Sequence, residues 1–369
     1  METFAWQKPV AAHSKVYFLD HSFAEIEAVL LRHGFKSSSA QIVYSAVVRH
    51  GLQDYADLKG RISKSLILWL TERSGWALNP IASHAAFPSD DGSTKYRVVF
   101  TQGGEVECVA MPFEQRLTFC LSSQVGCAMG CTFCATGSMG FGRNLSPAEI
   151  AAQVLLMRPL HPSPRGQTIR TNIVFMGMGE PLHNLTNVLS ACGHFNHPLG
   201  LVIHERDLAI STSGLVPKIR ELASSRLRPQ LMVSIAATQD ADRSAVMPVN
   251  RAYPLEELLT TLESFPLRPK ERIMLSYVLI RGVNDSDDDA DRLVAMAKRI
   301  ACLVNLIPMN EHQAAPDMLE PRESRIQAFA TRLIQAGVFA TIRRSRGRDV
   351  AAACGQLVRK GRKNADTFC

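Results

Sequence analysis

Six short apolar runs recur through this chain, at Leu117–Leu121, Asn172–Met176, Asp207–Ile210, Leu231–Ile235, Ile273–Ile280 and Leu303–Ile307, each separated from the next by a helix-length interval. Parallel strands cannot be joined by a tight turn and need a crossover of a dozen or more residues, most often a helix. The spacing therefore predicts an α/β fold built on a parallel βα repeat. Periodicity alone leaves a closed eight-stranded barrel and an open partial one equally available. In both, functional groups gather beyond the carboxyl ends of the strands. Upstream, Phe23, Ile26, Val29 and Leu30, then Ile42, Val43, Ala46 and Val47, follow helical spacing, which predicts a small helical domain over about 22–74. Lys95 to Met111 alternates around Gly103-Gly104, a hairpin signal at the entrance to the main domain. The expected organisation is 1–94 helical with a linker, 95–357 core, and 358–369 a basic tail carrying Arg359, Lys360, Arg362 and Lys363.

Four chemistry-bearing features fall in or just after the first four runs. After the first stand Cys127, Cys131 and Cys134 in a C-x3-C-x2-C spacing, three thiols from one short loop. With nine cysteines among 369 residues, a chance triplet of this kind is expected far less than once per chain. A structural zinc site is the rival reading, but no second C-x2-C or H-x3-H follows at finger-like distance. Three local thiols without an obvious fourth suit a four-iron cluster that leaves one iron open to a small molecule. After the second run comes Gly177-Met-Gly-Glu180-Pro181, where glycines let backbone approach a ligand and a carboxylate can receive an ammonium; a solvated turn glutamate is the plainer alternative. Ser211 ends the third run and Ser234 falls in the fourth.

Near the carboxyl end, Arg343, Arg344, Arg346 and Arg348 precede Cys354, a basic setting able to lower a thiol pKa and to hold phosphates. Bulk properties are less specific. The balance of 41 Lys+Arg against 34 Asp+Glu gives +7, compatible with an anionic partner such as RNA but also with many other proteins. Met1–Lys8 has no basic stretch followed by a long apolar one, and no run reaches membrane-span length, so a cytoplasmic protein acting without a membrane is expected. The remaining cysteines have no small-scaffold spacing, and a reducing compartment would keep them free.

The run Cys120-Leu-Ser-Ser-Gln-Val-Gly-Cys127-Ala-Met-Gly-Cys131-Thr-Phe-Cys134-Ala-Thr-Gly137 resembles the cluster loop of the radical S-adenosylmethionine (SAM) methyltransferases that modify adenosine in ribosomal RNA. Gly177–Pro181, Ser211-Thr-Ser-Gly214, Pro248-Val-Asn250 and Arg346-Gly-Arg-Asp-Val-Ala-Ala-Ala-Cys354-Gly-Gln-Leu357 follow in that family's order. The resemblance implies an open six-stranded barrel and a 4Fe-4S cluster on Cys127, Cys131 and Cys134. It further implies SAM contacts from Gly179, Glu180, Ser211, Ser234 and Asn310, and two SAM molecules per turnover. In the family scheme Cys354 accepts a methyl group from one SAM. A second SAM yields a radical that activates that methyl for addition to adenine. Glu107 or a water removes the ring proton, and Cys120 attacks the sulfur of Cys354 to release product through a transient disulfide. The implied partners are large-subunit ribosomal RNA, with transfer RNA a further candidate, and an electron donor such as flavodoxin or ferredoxin. A monomer is expected.

One departure stands out. Where the family carries Ser-Leu-His-Ala, this chain has Ser234-Ile-Ala236-Ala, so a histidine contact to the cofactor is missing. Regiochemistry divides the motifs: Val125 and Pro181 resemble the branch that methylates adenine carbon 2, whereas Ala135-Thr-Gly137 resembles the carbon-8 branch. Carbon 2 is favoured, with carbon 8 the alternative. Two other readings remain: a radical SAM enzyme of another reaction type, which would not need Cys354, and a non-catalytic RNA-binding or electron-transfer protein.

Overall fold

The structure is a computed structural model that describes residues 15–162 and 169–358; the readings of Met1–Lys8 and of the basic residues beyond Val358 fall outside them. The first helices are α1 (Phe23–Arg32), α2 (Ser37–His50) and α3 (Lys64–Glu72). α1 begins on a reciprocal cap: the Ser22 hydroxyl accepts from Glu25 N at 3.3 Å, and the Glu25 carboxylate accepts from Ser22 N at 2.7 Å. Ile26 and Leu30 of α1 and Val43, Tyr44 and Val47 of α2 are buried, the face that helical spacing predicted.

The central sheet starts earlier than the hairpin reading placed it. β1 (Ile81–Pro88), β2 (Thr94–Phe100), β3 (Glu105–Phe113) and β4 (Arg116–Cys120) form an antiparallel meander. β1 occupies the segment read as a linker. Its residues are half-buried or exposed on both faces, so it lacks the alternation that marks a strand in sequence. A short separate pair follows, β5 (Gln124–Gly126) with β6 (Phe141–Asn144). Beyond it, β7 (Arg170–Phe175), β8 (Leu208–Thr212), β9 (Gln230–Ser234), β10 (Ile273–Leu279), β11 (Cys302–Pro308) and β12 (Ala340–Ile342) add to β4 in parallel, each beside the last. All six expected strands are present. The seventh parallel strand, β12, is three residues long and carries no apolar run of its own.

The ten-stranded sheet ends in β1 on one side and β12 on the other, so the barrel is open. Crossovers are helical: α4 (Pro147–Met157) before β7, α5 (Leu185–Asn196) after it, α6 (Val216–Ala223) after β8, α7 (Asp240–Val246) and α8 (Leu255–Glu263) after β9, α9 (Asp287–Arg299) after β10, and α10 (Glu323–Gln335) after β11. Leu231 and Val233, Leu275 and Tyr277, and Val304 and Leu306 are buried on one face, while Ser234 and Ser276 alternate to the other. The amino-terminal helices share this core. His194 in α5 is buried, which drives its pKa down to about 4 and keeps it neutral. Its Nε2 must therefore donate to Leu19 O, at 3.0 Å, and its Nδ1 accepts from the Tyr44 hydroxyl at 2.8 Å.

Candidate active site

β5 delivers Cys127 into a loop closed by its own backbone. Cys127 N donates to Gly140 O at 2.9 Å, Cys134 N to Cys131 O at 3.2 Å, and Gly137 N to Cys134 O at 2.9 Å. A Cβ on Gly137 would stand 2.7 Å from Cys131 O, so only glycine lets the loop fold this tightly. The three thiols line one cavity of about 160 Å³ together with Glu180, Ser211, Ser234, Asn310 and Cys354. Burial pushes the Cys127 thiol up to about 12 and raises Cys131 and Cys134 as well. Among the described residues no three His, Cys, Asp or Glu side chains converge on a position for one metal ion. A four-iron cluster asks for something else, one thiolate per iron around a shared space. An all-sulfur donor set facing one cavity fits that group.

Across the cavity, the turn after β7 is held open by Gly179. Its φ is +97°, and a Cβ there would meet Gln124 Cβ at 2.5 Å. The next residue, Glu180, is buried; its carboxylate accepts from Leu182 N at 3.0 Å, Ser213 N at 2.8 Å and the Ser213 hydroxyl at 2.9 Å. Burial raises its pKa and these donors oppose the rise. Ser211 and Ser234 sit at the ends of β8 and β9, as the sequence placed them.

Two residues here escaped sequence reasoning. Ser276 stands opposite Ser234 in the register of β10 with β9, lines the same cavity, and has a buried hydroxyl with no partner. Arg243 is fully buried and donates to Ile235 O at 3.0 Å, Asn250 Oδ1 at 2.8 Å, Ser213 O at 2.7 Å and Ser234 O at 3.1 Å. Burial lowers its pKa to about 10, so it stays charged near neutrality. It ties the ends of β8 and β9 to the Pro248-Val-Asn250 turn, and that motif was the one available signal for it. Ala236, where the family carries histidine, has φ +57° and is buried.

Cys354 lines this cavity and also a second one of about 20 Å³, which it shares with Cys120, Met176 and Arg343. Burial pushes the Cys120 thiol up to about 12; the nearby Cys354 adds to the rise and Arg343 opposes it. The segment bearing Cys354 is clasped from two sides. On the cluster side, Ala135 N donates to Gly355 O at 2.7 Å and the Thr136 hydroxyl to Leu357 O at 2.7 Å. Asn310 joins this clasp through Nδ2, which donates to Cys354 O at 3.0 Å and Ser345 Oγ at 2.9 Å.

On the meander side, the Lys95 ammonium pairs with Glu107 Oε1 at 3.0 Å and donates to Ala351 O at 3.3 Å, while Val358 N donates to Glu107 Oε2 at 3.0 Å. Glu107 therefore lies on the same strand face as Cys120 but lines neither cavity. Burial raises its pKa and Lys95 opposes that rise. Of the four arginines, Arg343 and Arg346 line the smaller cavity with Cys354. Arg344 pairs with Glu320 and Glu323, Arg348 with Glu320 at 3.1 Å, and Arg346 with Asp91 at 3.7 Å. Arg343 faces Met176 Sδ at 3.3 Å and acts on Cys120.

Residues 121–294 match the radical SAM superfamily. A dual-specificity RNA methyltransferase RlmN of Geotalea uraniireducens is 42% identical over 348 residues, covering 94% of this chain and 97% of its own. A probable enzyme of the same name from Thermus thermophilus is 43% identical over 77% of this chain and 79% of its own. Among solved structures, a radical SAM methyltransferase from Sphaerobacter thermophilus superposes with a TM-score of 0.85 at 37% identity, over 93% of this chain and 99% of that one. With the open parallel barrel, the three-thiol loop and this likeness along nearly the whole length, the chain belongs to the RlmN family of radical SAM RNA methyltransferases.

Proposed function

We propose that this enzyme methylates carbon 2 of an adenosine in large-subunit ribosomal RNA, with transfer RNA as a second substrate class, and that Cys354 carries the methyl group. The observation that carries this reading is the place of Cys354 on the wall of both cavities, facing the three thiols and Glu180 on one side and Cys120 on the other. Cys127, Cys131 and Cys134 would hold a 4Fe-4S cluster. Glu180 would receive the ammonium of SAM, with Gly179, Ser211, Ser234 and Asn310 lining its place. When bound, cluster and SAM supply the one-electron chemistry that adenine carbons 2 and 8, poor nucleophiles at neutral pH, require. One SAM is used to load the cysteine and another for that chemistry, hence two per turnover, with a flavodoxin or ferredoxin as electron source.

The chain's own groups do the rest. Cys354 takes the methyl by sulfur attack and presents it towards the substrate. Cys120 is protonated at rest because burial lifts its thiol, and it must lose that proton before it attacks Cys354 sulfur and frees the product. The resulting disulfide is then reduced. Glu107, or a water, takes the ring proton. The amino-terminal helices are assigned to RNA binding.

The test is an anaerobic reaction with a ribosomal RNA fragment, digested to nucleosides and compared with 2-methyl- and 8-methyladenosine standards. The proposal expects 2-methyladenosine. Finding 8-methyladenosine would move the enzyme to the alternative that Ala135-Thr-Gly137 suggests, and methylation only at nitrogen or ribose would overturn the cysteine-carrier reading.

A further inference from the structure

The antiparallel meander carries a second kind of chemistry on the face that bears Cys120. Register sets Phe87 opposite Lys95, Ala85 opposite Arg97, Lys95 opposite Val109, Val109 opposite Cys120, and Phe113 opposite Arg116. Because side chains alternate along each strand, Phe87, Arg97, Met111, Phe113 and Arg116 stand on the same face as Cys120. The two rings are 37% and 36% exposed, unusual for phenylalanine on a strand, and each has two cations within 6 Å of its centroid. Lys95 and Arg97 lie 5.6 Å and 5.9 Å from the Phe87 centroid; Arg116 and Arg346 lie 4.5 Å and 4.7 Å from that of Phe113. Arg97 stands opposite Glu107 in the register, but that carboxylate pairs with Lys95, and among the described residues neither Arg97 nor Arg116 forms an ion pair.

This face is continuous with the reacting thiols. Met111, two positions from Phe113, lines the cavity of Cys120 and Cys354, and so does Arg346, which also covers the Phe113 ring. Exposed rings offer stacking to unstacked bases, and unpaired guanidinium groups offer charge to phosphates. A duplex keeps its bases stacked on one another and cannot use the rings. We propose that this face is the docking track for single-stranded RNA flanking the target adenine, with Phe87 and Phe113 stacking bases and Arg97 and Arg116 holding phosphates. The inference rests on the RNA-methylating reading above and adds to it where the substrate strand lies.

The test uses the reconstituted holoenzyme and a fluorescein-labelled single-stranded RNA containing one adenosine, alongside the same strand in a duplex, with affinity read by anisotropy across a salt series. The wild type should prefer the single strand. Arg97→Gln with Arg116→Gln should weaken it about tenfold and flatten the slope of log K against log salt by about 1.4, the share of two single-strand phosphates. Phe87→Ala with Phe113→Ala should also weaken it about tenfold, leaving the slope unchanged. Both variants should keep cluster absorbance and SAM cleavage; if the phenylalanine pair does not fold, the arginine pair decides alone. Unchanged affinity and slope in variants of an enzyme that does bind RNA would overturn the docking track and leave the methyltransferase reading standing. A wild type that neither binds nor methylates RNA would overturn both. Variants that bind RNA normally but accept electrons more slowly from reduced flavodoxin would assign the face to an acidic protein instead.

Discussion

The two cavities that meet at Cys354 are held together in different ways. On the cofactor side, Glu180, Ser211 and Ser234 stand at or just beyond the ends of neighbouring parallel strands, so the sheet ladder itself sets their spacing. On the other side, Cys120 also ends a strand, but its counterpart comes from a segment clasped by tertiary hydrogen bonds. These join residues 221 apart at Thr136–Leu357, 251 at Glu107–Val358 and 256 at Lys95–Ala351. A single such bond contributes about 1 kcal/mol net, so the segment is retained by a handful of replaceable contacts rather than by a continuous ladder. The spacing of Glu180, Ser211 and Ser234 is thus set by the sheet, whereas the position of Cys354 depends on side-chain and loop contacts from Lys95, Glu107, Thr136 and Asn310.

The largest expected effects separate the two sides chemically. Replacing any one of Cys127, Cys131 or Cys134 by Ala should abolish charge-transfer absorbance and SAM cleavage together, whereas Cys354→Ala should keep the cluster and transfer no methyl. Full cluster occupancy in the triple alanine variant would break the distinction. Within the second cavity, Cys120→Ala should still load Cys354 and attack RNA but fail to release it. Protein then accumulates as a nuclease-sensitive shift on a denaturing gel, absent in the Cys120→Ala/Cys354→Ala double variant. Normal multiple turnover by either single variant would remove the thiol pair from the mechanism.

Next come the buried cations that hold each side. Arg243→Met leaves the acceptors of Ile235, Asn250, Ser213 and Ser234 without their donor, and should cost on the order of 3–5 kcal/mol in denaturant unfolding at any pH near neutrality. Lys95→Met should behave differently because its partner titrates. The folded pKa of Glu107 is raised above the unfolded value of 4.5, so the folded state holds its proton more tightly and Glu107 costs stability as pH rises through that folded pKa. Lys95 opposes the rise, and removing it widens the window. The loss in Lys95→Met should therefore be about 3 kcal/mol at pH 8 and shrink towards pH 4.5. A loss that does not vary with pH would mean that the pair is not what holds the segment.

Legibility in the sequence follows the same division. All six expected parallel strands form, because a strand buried on both faces reads as an apolar run, and the residues that the family resemblance singled out, Ser211 and Ser234, lie at their ends. β1 and β12 were not legible: one is an exposed edge and the other three residues long, so neither carries a period. Arg243 was missed because a lone arginine in a short helix reads as solvent-facing; only its four acceptors reveal it as buried. Arg343, Arg344, Arg346 and Arg348 divide: their density suggested a basic setting around Cys354, and Arg343 and Arg346 do line its smaller cavity, whereas Glu320 and Glu323, distant in sequence, pair with Arg344 and Arg348.

The smallest expected effect concerns the backbone where this chain departs from its family. Ala236 is held at φ +57°, and Asn284 Nδ2 donates to its carbonyl at 2.5 Å, whereas its buried neighbour Ala237 is not among the residues with positive φ. A left-handed alanine carries roughly 1–2 kcal/mol of strain that glycine escapes. Against this, glycine forfeits a buried methyl, about 0.8 kcal/mol, and adds unfolded-state entropy of roughly 0.5–1 kcal/mol. For Ala236→Gly the terms nearly cancel, and unfolding stability should change by less than about 1 kcal/mol. Ala237→Gly has no strain to relieve and should lose about 1.5 kcal/mol from the same two costs. The difference between the two variants isolates the strain. If Ala236→Gly were destabilised as much as Ala237→Gly, the backbone at 236 would not be strained in solution.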